Sequence, residues 1–399
     1  MPTRTSRSKR TMAILALVVI ATAMAGLVAE GALRLVPPAA ARPLGELSYA
    51  TADGKPVPLL NALEEARQRG LIVPVPQPVT VFVPVSESIP ARQREMFAPS
   101  TDFFLCYTDN DRLHRDWLDA EGRVRVHINP SGLRERDTIQ PAKPAGQRRI
   151  VCIGDSFTFG WGIPDELGWV RLLENELRQG DRDIRTVNCG ASGTVCIDEY
   201  VTGLQHRFHG FQPDAVVLTI CLNDLFPNNG LSVMHPVPVT GIRLLDLAKA
   251  VFGRTALDLD PQQDWVQALL DLPRDQAEAS GMAGANSPFD SMWSQGTPQK
   301  ALRGAKQWCD ERKIPFLVVL WPFLQGLGPG RHYPFQKMHD LVAADCKAAG
   351  IPFLDVLPSL RDTPQEQLWV TPADAHANPL AQRLALPSIA AFVRQHALP

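Results

Sequence analysis

The chain has 399 residues, of which 45 % are apolar and 21 % charged, with a formal net charge of −2. That composition supports a full hydrophobic core and excludes a disordered or fibrous chain. No basic block lies outside the first ten residues, which argues against nucleic acid as a partner.

In chain order, Arg4, Arg7, Lys9 and Arg10 precede an uncharged run, Thr11–Ala29. Its apolar part, Met12–Ala29, would extend roughly 27 Å as a helix, close to a bilayer's hydrocarbon thickness. Positive charges ahead of such a run predict an inside N-terminus, with the bulk of the chain outside the cytoplasm. Residues 1–35 are therefore expected to be a single membrane anchor. The alternative is a signal segment cleaved at the small residues of "TAMAG", which gives a secreted protein.

Residues 36–146 read as a small accessory region. "VTVFVPV" (79–85) and "GRVRVHI" (122–128) have the composition of strands, and "LLNALEEARQRG" (59–70) that of a short helix ending at glycine. "KPAGQ" (143–147) marks a boundary.

From residue 147 onward the pattern changes. Five short apolar runs follow one another: "RRIVCIGD" (148–155), "IRTVNCG" (184–190), "DAVVLTICLND" (214–224), "PFLVVLWP" (315–322) and "IPFLDVLP" (351–358). Helical stretches separate them, including "GWVRLLENELRQG" (168–180), "QKALRGAKQWCDERK" (299–313) and "FQKMHDLVAADCKAAG" (335–350). A last helix starts near Pro379, with an interruption expected at Pro387. All-apolar strands alternating with helices predict a parallel sheet covered on both faces. Sites in such sheets lie beyond the carboxyl ends of the strands, where Ser156, Gly193 and Asn223 all fall. The long connection after Asn223, residues 226–297, is an insertion that reads either as a lid or substrate wall, with Trp265 or Trp293 as a flat apolar face, or as a packed outer subdomain.

Seven cysteines occur, with no CxxC pair and no Cys/His set at zinc spacing, so no metal or other cofactor is expected. Cys152 and Cys221 fall inside apolar runs and read as core thiols. Cys309–Cys346 and Cys189–Cys196 are the pairs open to bridging.

Four short blocks carry chemistry: "GDSFTFG" (154–160), "NCGASGT" (188–194), "LND" (222–224) and "DAHAN" (374–378). A serine after a strand is either a nucleophile or the cap of the following helix. A histidine two residues after an aspartate has a partner for its ring, which His206, His209, His332 and His339 do not show in sequence. In type and order the four blocks resemble those of the SGNH, or GDSL-like, hydrolases, over roughly residues 147–399. "INPSGLRERD" (128–137) resembles a segment upstream of that domain in anchored members. The chain departs from the family pattern twice, with D-x-H in place of D-x-x-H and with Cys221 where the third block has glycine.

The resemblance implies a three-layer α/β/α sandwich around a five-stranded parallel sheet, the flavodoxin-like SGNH fold. It implies Ser156 as nucleophile, His376 as base and Asp374 as the residue orienting it. The oxyanion donors it implies are the backbone N–H of Ser156 and Gly193 and the side-chain amide of Asn223, with Asp224 bracing the loop. The activity implied is hydrolysis of O-acyl esters on a small molecule or polysaccharide, with carbohydrate expected. An O-acyltransferase would use the same residues, and a non-catalytic scaffold for polysaccharide assembly could keep the fold. The oligomeric state is not legible.

Overall fold

The computed structural model describes residues 4–35, 47–51, 56–58, 72–74, 95–107, 115–179, 183–191, 197–225, 293, 297–331, 333, 335–372 and 374–398. The expected strand at 79–85, the helix at 59–70, Trp265 and nearly all of the 226–297 insertion lie outside them. Trp293 is described and is 2 % exposed, so it offers no open face to a substrate.

The N-terminal segment forms α1 (Arg4–Leu35). Among the described residues no helix is long and apolar enough to cross a membrane, so the spanning anchor expected from the sequence is not supported there. The described residues between 44 and 233 and between 269 and 399 belong to one compact unit.

Within that unit the upstream strands are β1 (Leu47–Thr51), β2 (Pro56–Pro58), β3 (Ile72–Pro74), β4 (Glu95–Phe97), β5 (Thr101–Tyr107) and β6 (Arg123–Ile128). Four of them form an antiparallel sheet in the order β2-β1-β5-β6, and β3 pairs with β4. The strand expected at 122–128 is β6. Burial alternates along β5 and β6: Phe103, Leu105, Tyr107, Val124, Val126 and Ile128 face inward, and their neighbours are more exposed. Period-two burial is what a sheet with one solvated face requires. The inward face shares a core with Phe159, Trp161, Ile163 and Val370, all from the downstream part of the chain.

The second sheet is built from β7 (Arg148–Gly154), β8 (Ile184–Gly190), β9 (Ala215–Cys221), β10 (Phe316–Trp321) and β11 (Phe353–Asp355). It is parallel throughout, in the order β11-β10-β9-β7-β8, as the five apolar runs predict. Every residue of β9 and β10 is buried. The helices around it are α2 (Ser156–Phe159), α3 (Trp169–Leu177), α4 (Ile197–His206), α5 (Thr297–Glu311), α6 (Gln336–Ala348) and α7 (Pro379–Ala397). From β7 the chain moves outward to β8, then returns past β7 to β9. Right-handed crossovers convert that reversal into helices on opposite faces, with α3 on one and α4, α5 and α6 on the other. α7 packs on α3, and α5 on α4. The reversal also makes the gap between β7 and β9 the switch point of the sheet, where such folds hold ligands.

One expectation is corrected and one open pairing is closed. α7 is not interrupted at Pro387 but runs through it to Ala397. Its N-terminus is capped by Asn378 Oδ1, which accepts from Leu380 N–H and Ala381 N–H at 2.9 and 3.1 Å. Ala381, Ala385, Ile389 and Val393 bury its face on both sides of the proline, which holds the helix together despite the missing donor. The Cys309–Cys346 bridge does not form, and both residues are thiols. Burial pushes both Cys309 and Cys346 up to about 12. Cys196 lies outside the described residues.

Candidate active site

The site begins where β7 ends. Asp155 leaves the strand in an extended conformation and caps α2, accepting from Phe157 N–H at 2.9 Å. Capping therefore falls to Asp155, and the hydroxyl of Ser156, the first residue of α2, is free for another partner. α2 sits tightly on the strand ends. A Cβ on Gly154 would collide with Thr158 Oγ1 and the Thr219 carbonyl, and one on Gly190 with the Phe159 backbone. The glycines of the first two blocks thus let the strands meet the short helix at backbone distance.

His376 lies on β12–β13, an antiparallel pair formed by β12 (Trp369–Thr371) and β13 (Asp374–Ala377). In a strand, residues two apart point to the same side. The D-x-H spacing thereby sets the two side chains next to each other, and the departure from D-x-x-H is accommodated by extended backbone. His376 Nδ1 is 2.5 Å from Asp374 Oδ1, and the backbone N–H of His376 donates to the same oxygen at 3.2 Å. On the far side of the ring, His376 Nε2 is 2.8 Å from Ser156 Oγ. Residues 220 positions apart are thus joined in one hydrogen-bonded series. Phe157 and Trp161 flank the imidazole, with ring centroids at 5.9 and 6.0 Å.

The second carboxylate oxygen of Asp374 accepts from Tyr107 Oη at 2.8 Å, across 267 residues of sequence. Burial pushes the Asp374 carboxyl up, but the charge of His376 and hydrogen bonds from His376 and Tyr107 outweigh it and hold the group below the usual carboxylate range. Burial pulls His376 down, yet the charge and hydrogen bond of Asp374, aided by the charge of Asp155, raise it above the ordinary histidine value. An imidazole so placed can take a proton from the hydroxyl and hold it.

Two buried carboxyls lie beneath this series. Burial pushes Asp155 up to about 6, against the Phe157 N–H and the charge of His376. Burial, then the charge of Asp155, raises Asp224 well above its ordinary value. Asp224 accepts from Tyr200 Oη at 2.7 Å and from Cys221 N–H at 2.9 Å, and so braces the turn after β9 as expected. Asn223 lies on that one-turn segment, Leu222–Leu225, but its side chain is not among those described. Gly193 falls outside the described residues.

The structure therefore brings Ser156, His376 and Asp374 together and carries Asn223 at the adjacent strand end. Sequence reading missed Tyr107, whose strand holds no motif, and the use made of "INPSGLRERD". In that segment, Arg134 is buried and its guanidinium donates to the carbonyls of Phe159, Gly160 and Ile163, clamping the end of α2. Glu135 accepts from Arg171, from Arg185 and from Asn188 N–H at 2.6, 2.8 and 2.7 Å. A second histidine–aspartate pair, His339 Nδ1 with Asp355 Oδ1 at 2.9 Å, turns its Nε2 toward Tyr333 Oη at 3.3 Å, not toward an aliphatic hydroxyl. Among the described residues no group of three or more His, Cys, Asp or Glu is arranged to hold a metal ion.

A doubly wound sheet with serine, histidine and aspartate in series at its switch point defines an α/β enzyme of the serine-hydrolase class. The family model described as GDSL-like lipase/acylhydrolase matches residues 152–384, more than half of the chain, and the chain belongs to that family. It is an ester-hydrolysing enzyme of the GDSL type. No curated protein matches it.

Among solved structures it is similar to a putative lipolytic G-D-S-L protein from Desulfitobacterium hafniense, at 14 % identity over 61 % of this chain and 98 % of that one, with a TM-score of 0.35. It is similar to the psychrotrophic esterase EstA from a Pseudoalteromonas species, at 13 % identity over 62 % and 97 %, TM-score 0.37. An acetyl xylan esterase, AlAXEase, gives 14 % over 62 % and 98 %, TM-score 0.33. The family match, not these likenesses, carries the assignment.

Proposed function

We propose that the chain hydrolyses O-acyl esters by a Ser156–His376–Asp374 triad. The observation that carries this is the unbroken series from Asp374 through both ring nitrogens of His376 to Ser156 Oγ. His376 Nε2 takes the hydroxyl proton as Ser156 Oγ attacks the ester carbonyl, and the imidazolium is stabilised by Asp374. It then returns the proton to the departing alkoxide. Water, activated by the same nitrogen, releases the acid from the acyl-enzyme. The negative charge on the attacked oxygen is met by the N–H groups of Ser156 and Gly193 and by the Asn223 amide, a role these residues take from the family blocks they match. An O-acyl group on carbohydrate is the substrate class proposed.

We also place the catalytic unit outside the cytoplasm. Supporting this are the basic residues ahead of the apolar run and the apolar side chains along α1, where Ile14, Leu17, Val18, Ile20, Met24, Leu27 and Val28 are 56–72 % exposed. A C-terminal reporter active only in the cytoplasm should be silent, and an active one contradicts this location.

The triad is tested with Ser156→Ala, assayed on p-nitrophenyl acetate and acetylated sugars alongside circular dichroism. Lost turnover with an unchanged spectrum is expected. Full turnover in the variant refutes the assignment.

A further inference from the structure

We infer that Tyr107, supplied by the upstream antiparallel sheet, is a positioning residue for the reaction, acting through Asp374. The inference rests on the triad reading above. Tyr107 is the last residue of β5 and is 3 % exposed. It lies outside the stretch matched by the family model, which starts at residue 152. Its hydroxyl donates to Asp374 Oδ2 at 2.8 Å, the oxygen not used by His376.

The phenol has little freedom. Its backbone N–H is tied to the Gly122 carbonyl at 3.0 Å, and its ring belongs to the core formed with Trp161, Ile163 and Val370. A Cβ on Gly162 would meet the Tyr107 hydroxyl and Val370, so the loop after α2 closes directly over the oxygen.

Two consequences follow. A carboxylate held at one oxygen can rotate about χ2, whereas one held at both keeps the plane in which Oδ1 faces His376 Nδ1. The O–H dipole also turns its positive end to Asp374 and shares the charge that otherwise stabilises the imidazolium. Removing it leaves Asp374 to attract the His376 proton more strongly. The groups facing His376 are Asp374 from its own strand, Asp155 from the turn before α2 and the Ser156 hydroxyl. Those facing Asp374 are His376 and Tyr107. The nearby cation Arg115 is engaged with the Val370 carbonyl on β12 at 3.0 Å.

The test is Tyr107→Phe in the full chain, beside Phe103→Leu, which perturbs the same core but leaves the hydrogen bond. Ser156 labelling by a fluorophosphonate, kcat, KM and the pH profile of kcat/KM are measured for all three proteins. Tyr107→Phe should lower kcat about tenfold with KM within about twofold, and move the acid limb of kcat/KM up by about half a pH unit. Phe103→Leu should leave the acid limb in place. If the parent labels at Ser156 and Tyr107→Phe keeps the parental kcat and acid limb, the inference is overturned and the triad stands. Equal losses in both variants with an unmoved limb overturn it too, since packing alone then accounts for them. A parent that hydrolyses esters without labelling at Ser156 breaks the triad reading itself.

Discussion

β9 and β5 are both seven-residue strands of the same compact unit, and they serve the site in opposite ways. β9 is buried at every position and delivers its function past its end, in the turn that carries Asn223 and Asp224. β5 is buried at alternate positions and delivers its function from its last inward residue, Tyr107. A strand covered on both faces can present chemistry only where the chain leaves the sheet. A strand with one open face can instead aim a single side chain into a neighbouring core. On the proposed triad, the reacting atoms stand just beyond the parallel sheet and on β13, and the antiparallel sheet contributes the Tyr107 hydrogen bond to Asp374.

That division can be broken by substitution. The largest effect should come from His376→Ala, which removes the base: kcat is expected to fall about 10⁴-fold with the fold retained, measured by steady-state hydrolysis. A loss of less than tenfold would move the base elsewhere. Asn223→Ala should lower kcat roughly 10²–10³-fold with a smaller change in KM, since the amide is assigned to the transition state. A loss confined to KM would make it a substrate-binding residue.

On the antiparallel side, Leu105 is fully buried in the shared core, and Leu105→Ala should cost about 3 kcal/mol. Calorimetry should show one transition shifted as a whole. Two transitions, with only one displaced, would mean that the sheets fold independently and that the comparison is drawn at the wrong level.

The smallest effect is a matter of pH. His376 must be neutral to act as base, and Asp374 raises its pKa above the usual 6.5. kcat/KM should therefore rise with pH through an apparent pKa above 6.5. The same shift contributes stability that is complete below the unfolded histidine's pKa and is lost as pH climbs through the folded one, so activity and this increment of stability move in opposite directions. An acid limb centred below 6.5 would contradict the assigned charge balance.

Much of this was legible in sequence because it depends on local pattern. Apolar runs at strand length gave the five parallel strands, blocks at the ends of two of them pointed to Ser156 and Asn223 as candidates, and a later block resembling the family's pointed to Asp374 and His376. Tyr107 was not legible: "TDFFLCY" contains no motif, and its contact with Asp374 is made by a tertiary approach across 267 residues. Arg134 and Glu135 stood in a segment noted for resemblance alone, and their roles depend on carbonyls and cations that only folding brings to them. The D-x-H spacing looked deviant until β13 proved extended. Pro387 suggested a break that side-chain burial along α7 overrides.

The most direct test of the central claim is the site of covalent capture. The full chain is treated with a fluorophosphonate, digested, and the adduct located by mass spectrometry, in parallel with His376→Ala. One phosphonylated residue, Ser156, is expected, with labelling strongly slowed in His376→Ala because the hydroxyl has lost its base. Efficient labelling of another serine, or equal labelling of Ser156 without His376, would contradict the account.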